Sequence, residues 1–184
     1  MNIRLTNKSF IFLLLASSVL VSCSEREQEK LNSAGEGEFA VANVAQPETV
    51  ASGFIADKLM GLDGNTLNAS LIADKNVLLN YWATWCAPCI REIPSLLSAQ
   101  SRLGDDFVVL LASDESIEEI QEFIQDRDFE GNFVKLEGYF SDYEIQAIPS
   151  TSLFSAQGEQ IGNWLGAFEW DSPEIITELQ NLAQ

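Results

Sequence analysis

The chain holds three cysteines and no histidine, and these counts decide most of what its side chains can do. Cys86 and Cys89 stand as Cys86-Ala-Pro-Cys89, while Cys23 lies apart near the N-terminus. At this spacing the second sulfur can turn back on the first. A mixed disulfide formed by Cys86 can then be resolved by Cys89 within one chain. A zinc site would need two further ligands, and there is no other cysteine pair and no histidine to supply them. A purely structural disulfide would close a very short loop and stabilise little. A redox-active dithiol is the reading this chemistry favours. The missing histidine also excludes imidazole metal centres, Ser-His-Asp triads and Cys-His nucleophiles. Neither a metal nor an organic cofactor is expected, and no nucleotide-binding motif is present.

The elements around the pair would position it. Val77-Leu-Leu-Asn-Tyr-Trp82 is an apolar run of buried-strand type, and a helix is expected from about Ala87 to Arg102 with Pro94 inside it. The pair therefore sits where a strand hands over to a helix. Free backbone N–H groups and the helix dipole stabilise a thiolate there. Pro88 presets the first helical turn and removes an N–H that needs no partner. Phe107–Ala112 reads as a second buried strand. Ser116-Ile-Glu-Glu119 has the form of a capping box before a helix whose apolar face is Ile117, Ile120, Phe123 and Ile124. Phe54–Met60 and Thr66–Leu71 are expected to pair around a turn at Gly61-Leu-Asp-Gly64. A short strand over Phe133–Leu136 and a hairpin of Thr151–Phe154 with Gln160–Leu165 follow. A last helix is capped by Ser172, opens with Pro173 and turns Ile175, Ile176, Leu179 and Leu182 inward. Strands alternating with helices make an α/β fold with a mixed sheet between helices, in one domain over 51–184.

Asn80-Tyr-Trp-Ala-Thr-Trp-Cys-Ala-Pro-Cys89 resembles the active-site segment of the thioredoxin superfamily. Within it, the chain is most similar to membrane-tethered, extracytoplasmic reductases of the TlpA and ResA type, from about Gly53 to the C-terminus. The resemblance implies a three-layer sandwich, with Cys86 as nucleophile and Cys89 as resolving thiol. Pro94 falls where the family kinks its active-site helix. Ala147-Ile-Pro-Ser-Thr151 resembles the cis-proline loop, which implies that Pro149 is cis beside the disulfide. Ile148 would then offer its backbone to an incoming peptide. Trp85 and Pro88 complete the implied substrate-binding surface, with Trp85 expected to shield the disulfide. Cytoplasmic thioredoxins carry a buried Asp where this chain has Asn80. Glu92 matches an acid that the tethered reductases keep near the pair, and a carboxylate there could take the Cys89 proton. A solvent-facing helix glutamate is the plainer reading of the same residue. Trp82 is expected to pack in the sheet; Trp164 and Trp170 are read as core or rim, without a role.

Residues 1–22 read as an export signal: Arg4 and Lys8 precede an apolar stretch of about a dozen residues, too short to span a bilayer. Leu20-Val-Ser-Cys23 resembles a bacterial lipobox, which implies lipidation of Cys23 and a membrane anchor; an ordinary signal peptide is the alternative. Residues 23–50 form an acidic, weakly apolar tether. Ser24, in place of the Asp that retains lipoproteins at an inner membrane, leans toward an outer membrane where one exists. The protein is thus placed in the bacterial envelope, facing the periplasm or extracytoplasmic space.

Lys plus Arg total 10 against 28 Asp plus Glu, a formal charge of −18. Such a surface repels phosphate backbones, so nucleic acid is excluded as a partner. The expected partners are a disulfide-containing protein substrate and a transmembrane thiol donor that restores the electrons. Apocytochrome c before haem attachment is one candidate substrate. Three rivals stand beside this reductase. One is an oxidase that donates its disulfide, and another is a non-catalytic module that keeps the fold for docking. The third, a peroxidase of peroxiredoxin type, lacks its Thr-x-x-Cys spacing here, because Thr84 is only two residues before Cys86.

Overall fold

The computed structural model describes residues 53–184. The signal over 1–22, Cys23 and the tether over 23–50 lie outside the described residues, as do positions 51 and 52. In chain order the first elements are β1 (Leu59–Gly61), α1 (Ala69–Ile72), β2 (Asn76–Tyr81) and α2 (Ala87–Leu103). Then come β3 (Phe107–Ser113), α3 (Ile117–Arg127), β4 (Asn132–Leu136), β5 (Ser150–Phe154), β6 (Gln160–Leu165) and α4 (Pro173–Leu182). Short 3-10 turns cover Ala56–Lys58 and Phe140–Tyr143.

The strands form one mixed sheet in the order β1-β4-β3-β2-β5-β6. β2, β3 and β4 run parallel, as strands joined through helices must. β1, β5 and β6 are antiparallel to their neighbours. β2 is central and buried on both faces, which is why its sequence reads as an unbroken apolar run rather than an alternation. The period of two still sorts its side chains. Leu78 and Trp82 join Val109, Leu111, Phe133 and Leu153 in the core under α2, α3 and α4. Val77, Leu79 and Tyr81 join Val108, Leu110, Val134, Leu136 and Phe154 in the opposite core. Leu71 and Ile72 of α1, with Phe140 and Tyr143, pack on that second face. These are the three layers of the expected sandwich.

Helix signals carry through into the backbone. The Ser116 hydroxyl accepts from the Glu119 amide at 3.2 Å, and Glu119 Oε2 accepts from the Ser116 amide at 3.0 Å, closing the capping box of α3. The Ser116→Ala variant is expected to lose about 1 kcal/mol, read as a lower denaturant midpoint at unchanged slope. Ser172 caps α4 by accepting from the Ile175 amide at 3.3 Å, and Pro173 opens that helix. Pro94 lies inside α2, which continues to Leu103.

Two local expectations are corrected. The expected pairing of Phe54–Met60 with Thr66–Leu71 reduces to a single bridge, Met60 to Thr66. The first segment is strand only at Leu59 and Met60, after the 3-10 turn over Ala56–Lys58, and the second is not a strand but turns into α1. Asn68 causes the switch, its side chain accepting from the Ser70 amide at 3.0 Å as an N-cap. The turn before it does form, with the Gly64 amide donating to the Gly61 carbonyl at 3.0 Å and Gly64 at φ +80°. Leu182 is the second correction. It ends α4 and is 39% exposed, while Ile176 and Leu179 are buried.

Candidate active site

Cys86 is the N-cap of α2, and β2 delivers it there. The Trp82 amide donates to the Ala112 carbonyl at 3.0 Å, continuing the sheet one residue past β2, and the Cys86 amide donates to the Ala83 carbonyl at 3.0 Å in a tight turn. The connection is held from the side by Glu115, which follows β3. Its carboxylate accepts from the Thr84 amide at 2.7 Å and from the Thr84 hydroxyl at 2.6 Å. Ser113 also donates to it, at 2.9 Å. Nothing in the sequence pattern singles out Glu115, which looks like one more acid in an acidic chain.

Cys86 and Cys89 are joined as a disulfide, with Cα atoms 5.3 Å apart. Cys86 Sγ accepts from the Cys89 amide at 3.3 Å, one of the unpaired N–H groups at a helix start. On reduction, a thiolate at Cys86 would find that donor and the positive end of α2 already in place. Both cysteines are nearly covered, at 4% and 0% exposure. Pro88 is in the first turn of α2, half-buried, as expected. Trp85 is 71% exposed, so its ring stands in solvent beside the nucleophile, open to an incoming partner rather than packed away.

The Ile148–Pro149 peptide bond is cis. Pro149 is buried and leads directly into β5, where Ser150 pairs with Tyr81 of β2 and Leu165 of β6. The Pro149 carbonyl accepts from the Gly166 amide at 2.9 Å. Ile148 is half-buried and touches both cores. The sheet therefore brings the loop of Ile148 and Pro149 to the same end as the residues leading into Cys86.

Glu92 is not a solvent-facing helix residue; it is 3% exposed. Three donors converge on its carboxylate. Asn80 Nδ2 reaches Oε1 at 2.8 Å, while the Phe168 amide and the Trp170 indole Nε1 reach Oε2 at 3.1 and 3.0 Å. Asn80 Nδ2 also donates to the Thr151 hydroxyl of β5 at 2.9 Å. Burial pushes the Glu92 pKa above its ordinary value of 4.5, and the hydrogen bonds from Trp170, Asn80 and Phe168 oppose that rise in part. The sequence marks Asn80 only as a replacement for a buried Asp, and neither its bond to Glu92 nor the parts played by Thr151 and Trp170 can be read there. Trp170, read as core or rim without a role, is 78 positions from Glu92, and no local pattern links the two.

The raised pKa has a consequence for stability. The folded chain holds the Glu92 proton more tightly than the unfolded chain does. This contribution is therefore fully present below about pH 4.5 and is lost as pH rises through the raised folded value. Glu92→Gln does not titrate there. The stability of that variant relative to the wild type should climb as pH is raised from 4 toward neutrality, as read by parallel denaturant titrations of the oxidised proteins. A difference independent of pH would contradict the assignment.

Comparison with known proteins places this geometry. The Redoxin family model matches residues 40–161. The thioredoxin-like protein YneN of Bacillus subtilis (strain 168) is 29% identical over 107 residues, covering 54% of this chain and 62% of YneN, so the chain spans less than two thirds of that relative. The thiol-disulfide oxidoreductase ResA of Halalkalibacterium halodurans is 27% identical over 158 residues, covering 77% of this chain and 90% of ResA. Among solved structures, a thiol-disulfide isomerase from Corynebacterium glutamicum shares the fold with a TM-score of 0.60 at 14% identity, over 73% of this chain and 97% of that one. With its Cys86–Cys89 disulfide at a helix start and a cis-proline at the same end of the sheet, the chain belongs to the Redoxin family, as a TlpA/ResA-like member of the thioredoxin superfamily.

Proposed function

We propose that this protein is an extracytoplasmic thiol:disulfide oxidoreductase that reduces protein disulfides, and that it is held to the envelope through a lipidated Cys23. The observation that carries the activity is the Cys86–Cys89 disulfide at the N-terminus of α2, with the buried Glu92 one helical turn away on the same helix. In the reduced state the Cys86 thiolate attacks a substrate disulfide. One substrate sulfur leaves and the other is held in a mixed disulfide. Cys89 gives up its proton, attacks Cys86 and releases the second substrate sulfur. Two electrons pass from the dithiol to the substrate, which leaves as two thiols. Trp85, Pro88, Ile148 and Pro149 form the docking surface. A transmembrane thiol carrier returns the electrons, and apocytochrome c before haem attachment is a substrate of the right chemistry.

Direction follows from potential, and about 30 mV shifts the equilibrium by about 1.4 kcal/mol. Equilibrating the pair with glutathione buffers decides it. A value near about −270 mV supports the reductase, and one near about −120 mV would turn the assignment into an oxidase. The anchor is tested separately. Cys23→Ser should release the protein from membranes in fractionated cells, and continued membrane association would overturn lipidation at that residue.

A further inference from the structure

The segment between β6 and α4 is pinned to the active-site helix at two levels one turn apart. At the first, Glu92 Oε2 accepts from the Phe168 amide and from the Trp170 indole. At the second, Ser95 Oγ accepts from the Trp170 amide at 3.2 Å, and the same hydroxyl donates to the Glu92 carbonyl at 2.8 Å. Trp170 is wholly buried, its ring against Trp164 and Phe168 at centroid separations of 5.7 and 5.6 Å. Such packing leaves the indole little freedom, so its N–H is aimed before any chemistry begins. The segment that carries Phe168 and Trp170 also reaches the cis-proline loop, through the Gly166 amide on the Pro149 carbonyl.

We infer that Trp170 is a positioning residue for the exchange reaction, its indole N–H holding and aiming the Glu92 carboxylate one helical turn from Cys89 and so tuning its capacity to accept the Cys89 proton. This rests on the dithiol exchange proposed above. The groups that face Glu92 are few. β2 contributes Asn80, and the segment after β6 contributes the Phe168 amide and Trp170. None of these titrates; Cys89, three residues earlier on α2, carries a proton only when reduced. No charged side chain contributes to the Glu92 shift among the described residues, the acids Glu169 and Asp171 of the same segment included. The carboxylate is therefore governed by neutral donors, of which the indole is one of three. In the step concerned, the Cys89 S–H bond breaks and its proton passes to Glu92. The Cys89 sulfur bonds to Cys86, the Cys86–substrate bond breaks, and the substrate leaves with the electron pair and takes up a proton.

Trp170→Phe keeps an aromatic ring and removes the donor. In the full-length chain, with oxidised insulin as the probe, the rate of mixed-disulfide resolution is followed against pH. The rise in rate that tracks Glu92 should move upward by about one to two pH units, the size expected when a charged acceptor loses one donor. It should be absent in Glu92→Gln, with Trp170 present or replaced. An unmoved profile overturns the inference, as does a shift that persists in the Glu92→Gln background. A wild type that exchanges with insulin at no pH overturns the proposed function and this inference with it. A second measurement needs no variant of Trp170. In the oxidised wild type one of the four indole N–H resonances should titrate with Glu92, and it should stand still in Glu92→Gln. Four pH-independent indole resonances would overturn the inference.

Discussion

Replacing Cys86 by serine abolishes thiol–disulfide exchange, and replacing Cys89 by serine yields a protein that attacks disulfides but stays bound to them. Both outcomes follow from the placement of the two sulfurs. Cys86 caps α2, so its sulfur meets the free Cys89 amide and the positive helix end, where an anion is stabilised. A serine hydroxyl at that position does not ionise near neutral pH and forms no disulfide. Exchange in Cys86→Ser should therefore fall to the uncatalysed background rate. Cys89 lies within α2 and is wholly buried, beyond the reach of a protein disulfide until Cys86 has opened one. Without it the mixed disulfide on Cys86 has no internal attacker and accumulates, one partner per chain. The measurement is non-reducing electrophoresis after mixing each reduced variant with a disulfide-bonded protein. Cys23→Ser is included in every chain so that the trap reports only on this pair. Equal trapping by the two variants would reverse or dissolve the assigned roles.

The parts of the structure readable from sequence are those set by short-range physics. β2 announces itself because a strand buried on both faces must be apolar throughout, and Ser116, Ser172 and Pro173 mark helix starts by chemistry that acts within three residues. The paired cysteines work the same way, since a Cys-x-x-Cys unit carries its reactivity in its own spacing. The cis bond before Pro149 came from resemblance to known loops rather than from the residues themselves. What escaped reading depends on contacts across the fold. Asn68 outcompeted the expected strand because one side-chain cap sufficed to start a turn of helix. Leu182 has the right period for burial, but α4 ends there and nothing covers it fully. The Glu92 cradle is assembled from β2, α2 and the approach to α4, and Glu115 braces Thr84 across 31 positions. Polar networks of this kind become visible only once the sheet has brought their parts together.

Trp82 joins the core to the site, and two substitutions there should separate packing from hydrogen bonding. It directly follows β2, is wholly buried, and rests against Phe123 of α3 and Phe133 of β4 at ring-centroid separations of 4.9 and 5.5 Å. Its indole Nε1 has no hydrogen-bond partner among the described residues. Trp82→Ala removes the ring and leaves a cavity between α3 and the sheet, so it should cost about 3–5 kcal/mol. That is a large share of the 5–15 kcal/mol typical of a domain. Trp82→Phe removes part of the volume but also the N–H, and a buried donor without a partner itself costs about 1–3 kcal/mol. The two terms oppose each other, so the phenylalanine variant should lose well under half of what the alanine variant loses. Denaturant midpoints of the oxidised proteins, with equal slopes, give both numbers. Similar losses in the two variants would mean that the indole N–H contributes a bond worth keeping, and that Trp82 belongs to a polar network rather than to the core alone.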